Sequence, residues 1–471
     1  MLFNSLSFIV FLVIVLALYY NNVLSWKMKK GMLLFASYVF YALWNPPLIL
    51  LLWISTLVDW FAGNKLFKEQ DPRKRKLWLS LSMLVNLGFL AFFKYGGFFL
   101  ENFTLLVNAI GIPYHPAIPD IILPMGISFY TFQTMSYTID MYYRRIEPAR
   151  TFLDFSLYVT FFPQLVAGPI VRSSELVTQF YEPKKASTQQ FLWGAFLLTL
   201  GLFQKVVMAD VLLSPTSDAV YKSGDILAAL DAWTGTLAFS GQIFFDFAGY
   251  STCAIGIALM LGFVLPDNFR YPYAAIGFSD LWRRWHITLS SWLRDYLYIP
   301  LGGNRRGPVR TYVSLMTTML LGGLWHGAAW TFVFWGFLHG LYLVVERLLR
   351  KRIRIRVNAW NGILFALLTY TMVNFTWVFF RAEDFSSAWQ ILGSMLFLNP
   401  EGAKVLEYND IIKVGIVILI LFLSHWFMRD SSVKELAYKI PWWMLGIAWA
   451  IMIILLVVAQ GSGEQFIYFQ F

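Results

Sequence analysis

Apolar runs of about 18–25 residues, the length that crosses a bilayer as an α-helix, recur along the whole chain. They predict spans at Ser5–Leu24, Leu77–Phe98, Ile121–Tyr143, Phe152–Ile170, Phe191–Leu212, Trp233–Phe263, Trp360–Phe380, Ile411–Met428 and Trp442–Gln460. The runs do not alternate apolar and polar positions, as the shorter strands of a membrane β-barrel would. Two further regions read as hairpins. Gly31–Gly63 is interrupted by Asn45-Pro46-Pro47, where proline cannot continue a helix. Tyr312–Val345 is interrupted at Trp325-His326-Gly327. Phe161–Ile170, with Pro163 and Gly168-Pro169, predicts a bent or re-entrant end. Irregular backbone is tolerated at depth only inside protein or against a water-filled cavity. The expected fold is therefore an all-α polytopic membrane protein with about 11 embedded helices. No linker or repeat interrupts 1–471, so one domain is expected, with a core over 121–345 and a helical extension over 357–471.

Composition agrees with this pattern. Of the 471 residues, 58% are hydrophobic and only 14% charged, against roughly a quarter charged in soluble domains. The net charge of +10 speaks for cytoplasmic loops and anionic lipid rather than nucleic acid. Basic clusters at Lys27–Lys30, Lys65–Lys76, Arg144–Arg150, Arg270–Arg310 and Arg347–Arg356 are expected inside. Glu101–Asp120 and Asp384–Asp410, acidic or nearly free of Lys and Arg, are expected outside. Arg310 and Arg347 then lie on one side, so Tyr312–Val345 must enter and return. Limbs of about 13–20 residues reach about 20–30 Å, which takes His326 deep into the membrane or near its outer half. The first run has no basic residues before it and no clear cleavage site, and reads as a retained helix. The single cysteine, Cys253, excludes an intramolecular disulfide and a cysteine-based metal site.

Ionisable residues inside a membrane are costly and mark candidate sites. His326 reads as a general base for a hydroxyl attacking an activated acyl group, since imidazole titrates near operating pH. It reads equally as an interhelical hydrogen-bonding residue. His339 lies thirteen residues on and points to another face, where packing is the simpler reading. Gln242, Asp246 and Tyr250 follow each other at four-residue steps, sharing one helix face. Asp246 either pairs with Lys205 or an arginine, or lines a reaction cavity. No zinc-type His/Cys cluster, Walker motif or Gly-x-Ser-x-Gly is present, and no covalent nucleophile is evident.

Ser279–Pro300, wound as one helix, gathers Trp282, Trp285, Leu289, Trp292, Leu293 and Tyr296 on one face. Arg283, Ser290 and Arg294 fall on another, with His286 at the border. This predicts an interfacial amphipathic helix, either a plain surface anchor or the cytoplasmic mouth of a site whose arginines meet a phosphorylated acyl donor. The following Leu301–Gly307 loop, with Asn304, Arg305 and Arg306, is either a phosphate contact or a solvated basic loop.

Several of these segments together resemble the membrane-bound O-acyltransferase family, and within it the bacterial alginate O-acetyltransferase-like subgroup of polysaccharide, peptidoglycan and cellulose acetylation. They are Leu123–Phe129, Phe162–Ile170, Leu261–Phe263 with Asn268-Phe269, Trp282–His286, Trp292–Arg305, Leu324–Gly327 and Thr376–Ala382. The resemblance implies that His326 is the catalytic histidine and His286 the second histidine, near a cytoplasmic entrance. It implies a central tunnel, acetyl-CoA or another acyl thioester as co-substrate rather than a bound cofactor, and no metal. It also implies an extracytoplasmic acetyltransferase partner protein, a polysaccharide acceptor and a bacterial inner membrane. Arg283, Arg284, Arg294, Asn304 and Arg305 are then expected to hold the donor, while Gln242, Asp246 and Trp325 line the cavity. Thr252 stands where many members of the subgroup carry Asp, so no role of that acid carries over. Two rival readings are D-alanyl transfer to teichoic acid from a carrier-protein thioester, and a transporter or flippase, which would also use broken helices.

Overall fold

The computed structural model describes residues 1–117, 121–353, 356 and 358–459. Parts of the predicted Glu101–Asp120, Arg347–Arg356 and Trp442–Gln460 segments and of the 357–471 extension lie outside the described residues. The regular elements among the described residues are all helices, joined by loops, with one isolated bridge between Leu227 and Ala403. Among the described residues, seven helical stretches are long and apolar enough to cross a membrane, and Leu6–Tyr20 and Trp442–Val458 are shorter apolar helices. The chain is a multi-pass membrane protein. It divides into two compact units, 1–195 with 254–266, and 196–253 with the described residues from 267 onward.

The first unit is built from α1 (Leu6–Tyr20), α2 (Trp26–Ala42), α3 (Ile49–Lys68), α4 (Pro72–Ala109), α5 (Ile127–Tyr142), α6 (Phe152–Thr160) and α7 (Ser173–Leu176). The predicted hairpin break at Asn45-Pro46-Pro47 is present as a short turn between α2 and α3. Buried polar side chains join α3, α4 and α5. Asn86 donates to Asp59 at 2.8 Å and accepts from Ser55 at 2.8 Å and Thr134 at 3.1 Å. Such pairing is what makes polar groups tolerable among membrane helices. The helix expected over Phe152–Ile170 is shorter, nine residues in α6, and the chain turns at Phe161 around Pro163, in the segment where a bent end is predicted. That turn is buried and packs on Gly126, whose added Cβ would stand 2.6 Å from the Leu165 carbonyl.

Elements α8 (Thr188–Leu202), α9 (Ser214–Tyr221) and α10 (Ala229–Met260) follow. A π-helical stretch, Phe203–Leu213, joins α8 to α9. In that geometry residues five apart share a face, so Lys205 Nζ reaches Asp210 at 2.8 Å. The same ammonium meets Asp246 of α10 at 2.6 Å.

The rest of the second unit comprises α11 (Phe278–Leu281), α12 (Ile287–Leu293), α13 (Gly307–His326), α14 (Trp330–Arg352), α15 (Ala359–Arg381), α16 (Phe385–Met395), α17 (Tyr408–Phe427), α18 (Val433–Lys439) and α19 (Trp442–Val458). The predicted hairpin over Tyr312–Val345 is α13 and α14, joined at Gly327–Ala329. Glycines let the two limbs approach closely. A Cβ on Gly336 would stand 2.3 Å from the Met319 carbonyl, and one on Gly323 would stand 2.2 Å from that of Phe332. Small residues serve this purpose where lipid removes the hydrophobic drive between helices.

The single amphipathic helix expected over Ser279–Pro300 is corrected. It breaks into α11, a turn at Trp282–His286, α12 and a π-turn at Arg294–Tyr298. His286 takes a left-handed backbone, φ 42°, a conformation that costs about 1–3 kcal/mol and persists only when the surroundings enforce it. The Ile287 amide donates to the Asn268 carbonyl at 2.9 Å, a pairing with a distant loop that helical periodicity cannot reveal.

Candidate active site

His326 is the last residue of α13. The helix stops there at Gly327, which is extended, and a Cβ on Gly327 would stand 2.1 Å from the ring of Phe332, so the break has room only for glycine. The imidazole is buried, 4% exposed. Trp325, Trp335 and Phe380 surround it at ring-centroid distances of 5.0, 5.0 and 5.3 Å. Trp335 comes from α14 and Phe380 from α15, so three helices build this aromatic cage.

Trp325 also touches the second histidine, with its ring 5.9 Å from that of His286. His286 is fully buried, not at the border of an exposed face. Phe247 of α10 packs edge-on against it at 4.6 Å. Its Nδ1 lies 3.0 Å from Asn268 Oδ1. Burial pushes the imidazole down to about 3, so it is neutral near neutral pH.

His339 sits beyond Trp335, their rings 4.5 Å apart. Its Nε2 lies 3.0 Å from Thr376 Oγ1, which itself donates to the Val373 carbonyl at 2.7 Å. The threonine hydrogen is thus committed, and His339 donates through Nε2, an arrangement that pins α14 to α15. His425 of α17 accepts the Tyr273 amide at Nδ1, 3.2 Å away.

The predicted donor-binding residues separate into two sets. Arg283, Arg294, Asn304 and Arg305 are exposed. Arg294 nevertheless pairs with Asp295 at 2.7 Å, and Asn304 accepts from Tyr298 at 2.6 Å and Arg347 at 2.8 Å. Arg284 is mostly buried and held internally, by Asp280 at 3.0 Å and the Arg429 carbonyl at 2.8 Å. Asp280 also takes Arg429 at 2.8 Å and the Ile276 amide at 3.0 Å. Burial alone would raise the Asp280 carboxyl, but the Ile276 amide and the two arginines outweigh it and hold the carboxyl below its usual range. Asp246 is found in the structural pairing with Lys205, with Gln242 buried one turn away. Thr252 donates to the Ala248 carbonyl of its own helix at 2.7 Å.

Asn268, Trp335, Trp377 and Phe380 carry no individual signal in the sequence. Asn268 stands in an irregular loop with no periodic signal, and the aromatics are indistinguishable from lipid-facing rings in so aromatic a chain. Trp377 stacks on Trp335 at 6.0 Å and packs against Trp285 at 5.2 Å, closing the wall behind His326 and His339.

The arrangement offers a buried imidazole at a helix terminus, a second buried imidazole across one indole, and aromatic walls around the first. That is suited to proton transfer on a substrate brought out of bulk solvent. Comparison with known proteins bears on which substrate. A model described as the membrane-bound O-acyltransferase family matches residues 149–381, which include both histidines. The probable alginate O-acetylase AlgI of Azotobacter vinelandii is 39% identical over 430 residues, covering 89% of this chain and 83% of that relative. The peptidoglycan O-acetyltransferase of Helicobacter pylori is 39% identical over 396 residues, 79% of this chain and 74% of that protein. A teichoic acid D-alanyltransferase of Streptococcus thermophilus is 27% identical over 312 residues, 60% of this chain and 75% of the relative.

Proposed function

Since this chain belongs to the membrane-bound O-acyltransferase family and is an O-acyltransferase, we propose that it moves acetyl groups from acetyl-CoA in the cytoplasm, across the bacterial inner membrane, for O-acetylation of an extracytoplasmic polysaccharide. The acetyl specificity follows the names of the relatives at 39% identity. The observation that carries the chemical assignment is the position of His326, at the end of α13 inside a cage of three aromatic rings.

In this reading His326 takes the proton of an acceptor hydroxyl. The oxygen attacks the thioester carbonyl, the carbon–sulfur bond breaks, and the thiolate leaves and is protonated. The first acceptor is a hydroxyl of an extracytoplasmic partner protein or of the polysaccharide itself. Arg283 and Arg305, exposed in the basic segment, meet the phosphates of the donor. Arg284 supports the turn that carries Arg283 through Asp280.

The test is transfer from labelled acetyl-CoA in membranes, comparing wild type with His326→Ala at equal protein level. A general base contributes about 10²–10⁴-fold, so the variant is expected to lose that much. Full transfer by His326→Ala would remove it as the base. D-alanyl transfer has support from the more distant 27% relative. Label appearing from a D-alanyl carrier-protein thioester, and not from acetyl-CoA, would select that reading.

A further inference from the structure

His286, Asn268 and Thr288 form a buried hydrogen-bonded group whose proton positions can be worked out from its heavy atoms. The backbone amide of Thr288 can only donate, and it points at Asn268 Oδ1 from 3.4 Å. The Thr288 hydroxyl lies 2.9 Å from the same oxygen, while Asn268 Nδ2 reaches Ser251 Oγ at 3.1 Å. Flipping the amide would set its NH₂ against the Thr288 amide, two donors face to face, so the orientation is fixed. The atom 3.0 Å from His286 Nδ1 is therefore an acceptor, and Nδ1 must carry the hydrogen. In neutral imidazole the other nitrogen then holds the lone pair.

This tautomer is opposite to that of the other two buried histidines whose hydrogen bonds define one. His339 donates through Nε2 and His425 accepts through Nδ1, so both carry hydrogen on Nε2. Asn268 also fixes the backbone at His286, because its carbonyl accepts from Ile287 at 2.9 Å just after the left-handed residue. One buried side chain, 1% exposed, thus controls both where the ring points and which nitrogen is basic.

We propose that Asn268 is a positioning residue that locks His286 in the Nδ1–H tautomer, so that His286 serves the acyl-transfer reaction as a proton or hydrogen-bond acceptor through Nε2. The tautomer stands on geometry alone; its use in acyl transfer rests on the function proposed above. A neutral amide, unlike a carboxylate, orients the ring without stabilising its protonated form. The rings facing His286, those of Phe247, Phe269 and Trp325, are not titratable.

The test uses the full-length protein in detergent with ring-¹⁵N histidine, where protonated and bare ring nitrogens resonate far apart. His286→Gln identifies the signals. The expected wild-type spectrum has Nδ1 of His286 protonated and Nε2 bare. Asn268→Leu is expected to release the ring towards the Nε2–H form and to lower kcat for acetyl transfer at least tenfold with little change in KM. Asn268→Asp keeps an acceptor oxygen, so it should keep the tautomer, restore much of the activity and move the acidic limb of the pH–rate profile upward. A wild-type His286 protonated on Nε2 overturns the proposal. So does an Asn268→Leu protein whose tautomer is unchanged, or one that loses the tautomer but transfers at the wild-type rate. If Asn268→Leu does not fold, the wild-type spectrum and the Asn268→Asp profile decide. A wild-type protein with the expected spectrum that transfers no acyl group from any thioester overturns the functional reading alone.

Discussion

At the scale of single residues, the decisive feature of the site is that a neutral imidazole is kept among aromatic rings. His286 shows what this does to stability. Its folded value of about 3 lies below the ordinary 6.5, so between those values the unfolded chain takes up a proton that the folded protein refuses. The stability associated with the neutral ring is complete above 6.5 and falls as the pH drops towards 3. Melting temperature is therefore expected to fall more for wild type than for His286→Gln between pH 7 and pH 5. An equal fall in both would show that the buried ring is not the group responsible. The sequence marks His326 as a candidate because ionisable residues inside a membrane are rare, and His286 through its place in a basic amphipathic segment and the family resemblance. It does not mark Asn268, whose importance comes from a hydrogen bond across eighteen positions, and it cannot show that Arg284 faces inward to Asp280.

At the scale of elements, the α13–α14 hairpin depends on two limbs approaching as closely as glycine permits. Gly336→Val would drive a β-branched side chain into the Met319 carbonyl, already 2.3 Å from an ideal Cβ. Overpacking of this kind costs about 1–3 kcal/mol where neighbours can shift and more where the obstacle is backbone. The expected outcome is a lower melting temperature together with lower acetyl transfer, because Trp335 and His326 are carried on the same two limbs. An unchanged melting temperature would show that the limbs can separate freely. This hairpin was legible in the sequence because its break, Trp325-His326-Gly327, interrupts a long apolar run. The bend after Thr160 was likewise marked, by Pro163 and Gly168-Pro169, but the breaks in Ser279–Pro300 were not. There tertiary hydrogen bonds and tight turns end helices whose side-chain pattern would let them continue.

At the scale of the whole molecule, long apolar runs and the charge bias predict the helical membrane class, and the structure bears that class out. The bias also gives an orientation that can be measured with this chain's own chemistry. Cys253 is the single cysteine and is buried, so a Cys253→Ala background is silent to thiol reagents. Arg305→Cys in that background is expected to resist a membrane-impermeant maleimide in intact cells and to react after lysis. Glu401→Cys, exposed in the acidic segment, is expected to react in both. Labelling of Arg305→Cys in intact cells would invert the assignment. A last consequence comes from the π-helical stretch. A turn closed every five residues rather than every four takes up additional chain without breaking the helix. The chain therefore runs on into α9, where Asp218 meets Arg381 of α15 at 2.6 Å. Loss of a residue here would tighten the wide turn and change the reach of Lys205 towards Asp210 and Asp246 before it disturbed that distant contact. The stretch acts as slack, in which small changes of chain length are absorbed locally.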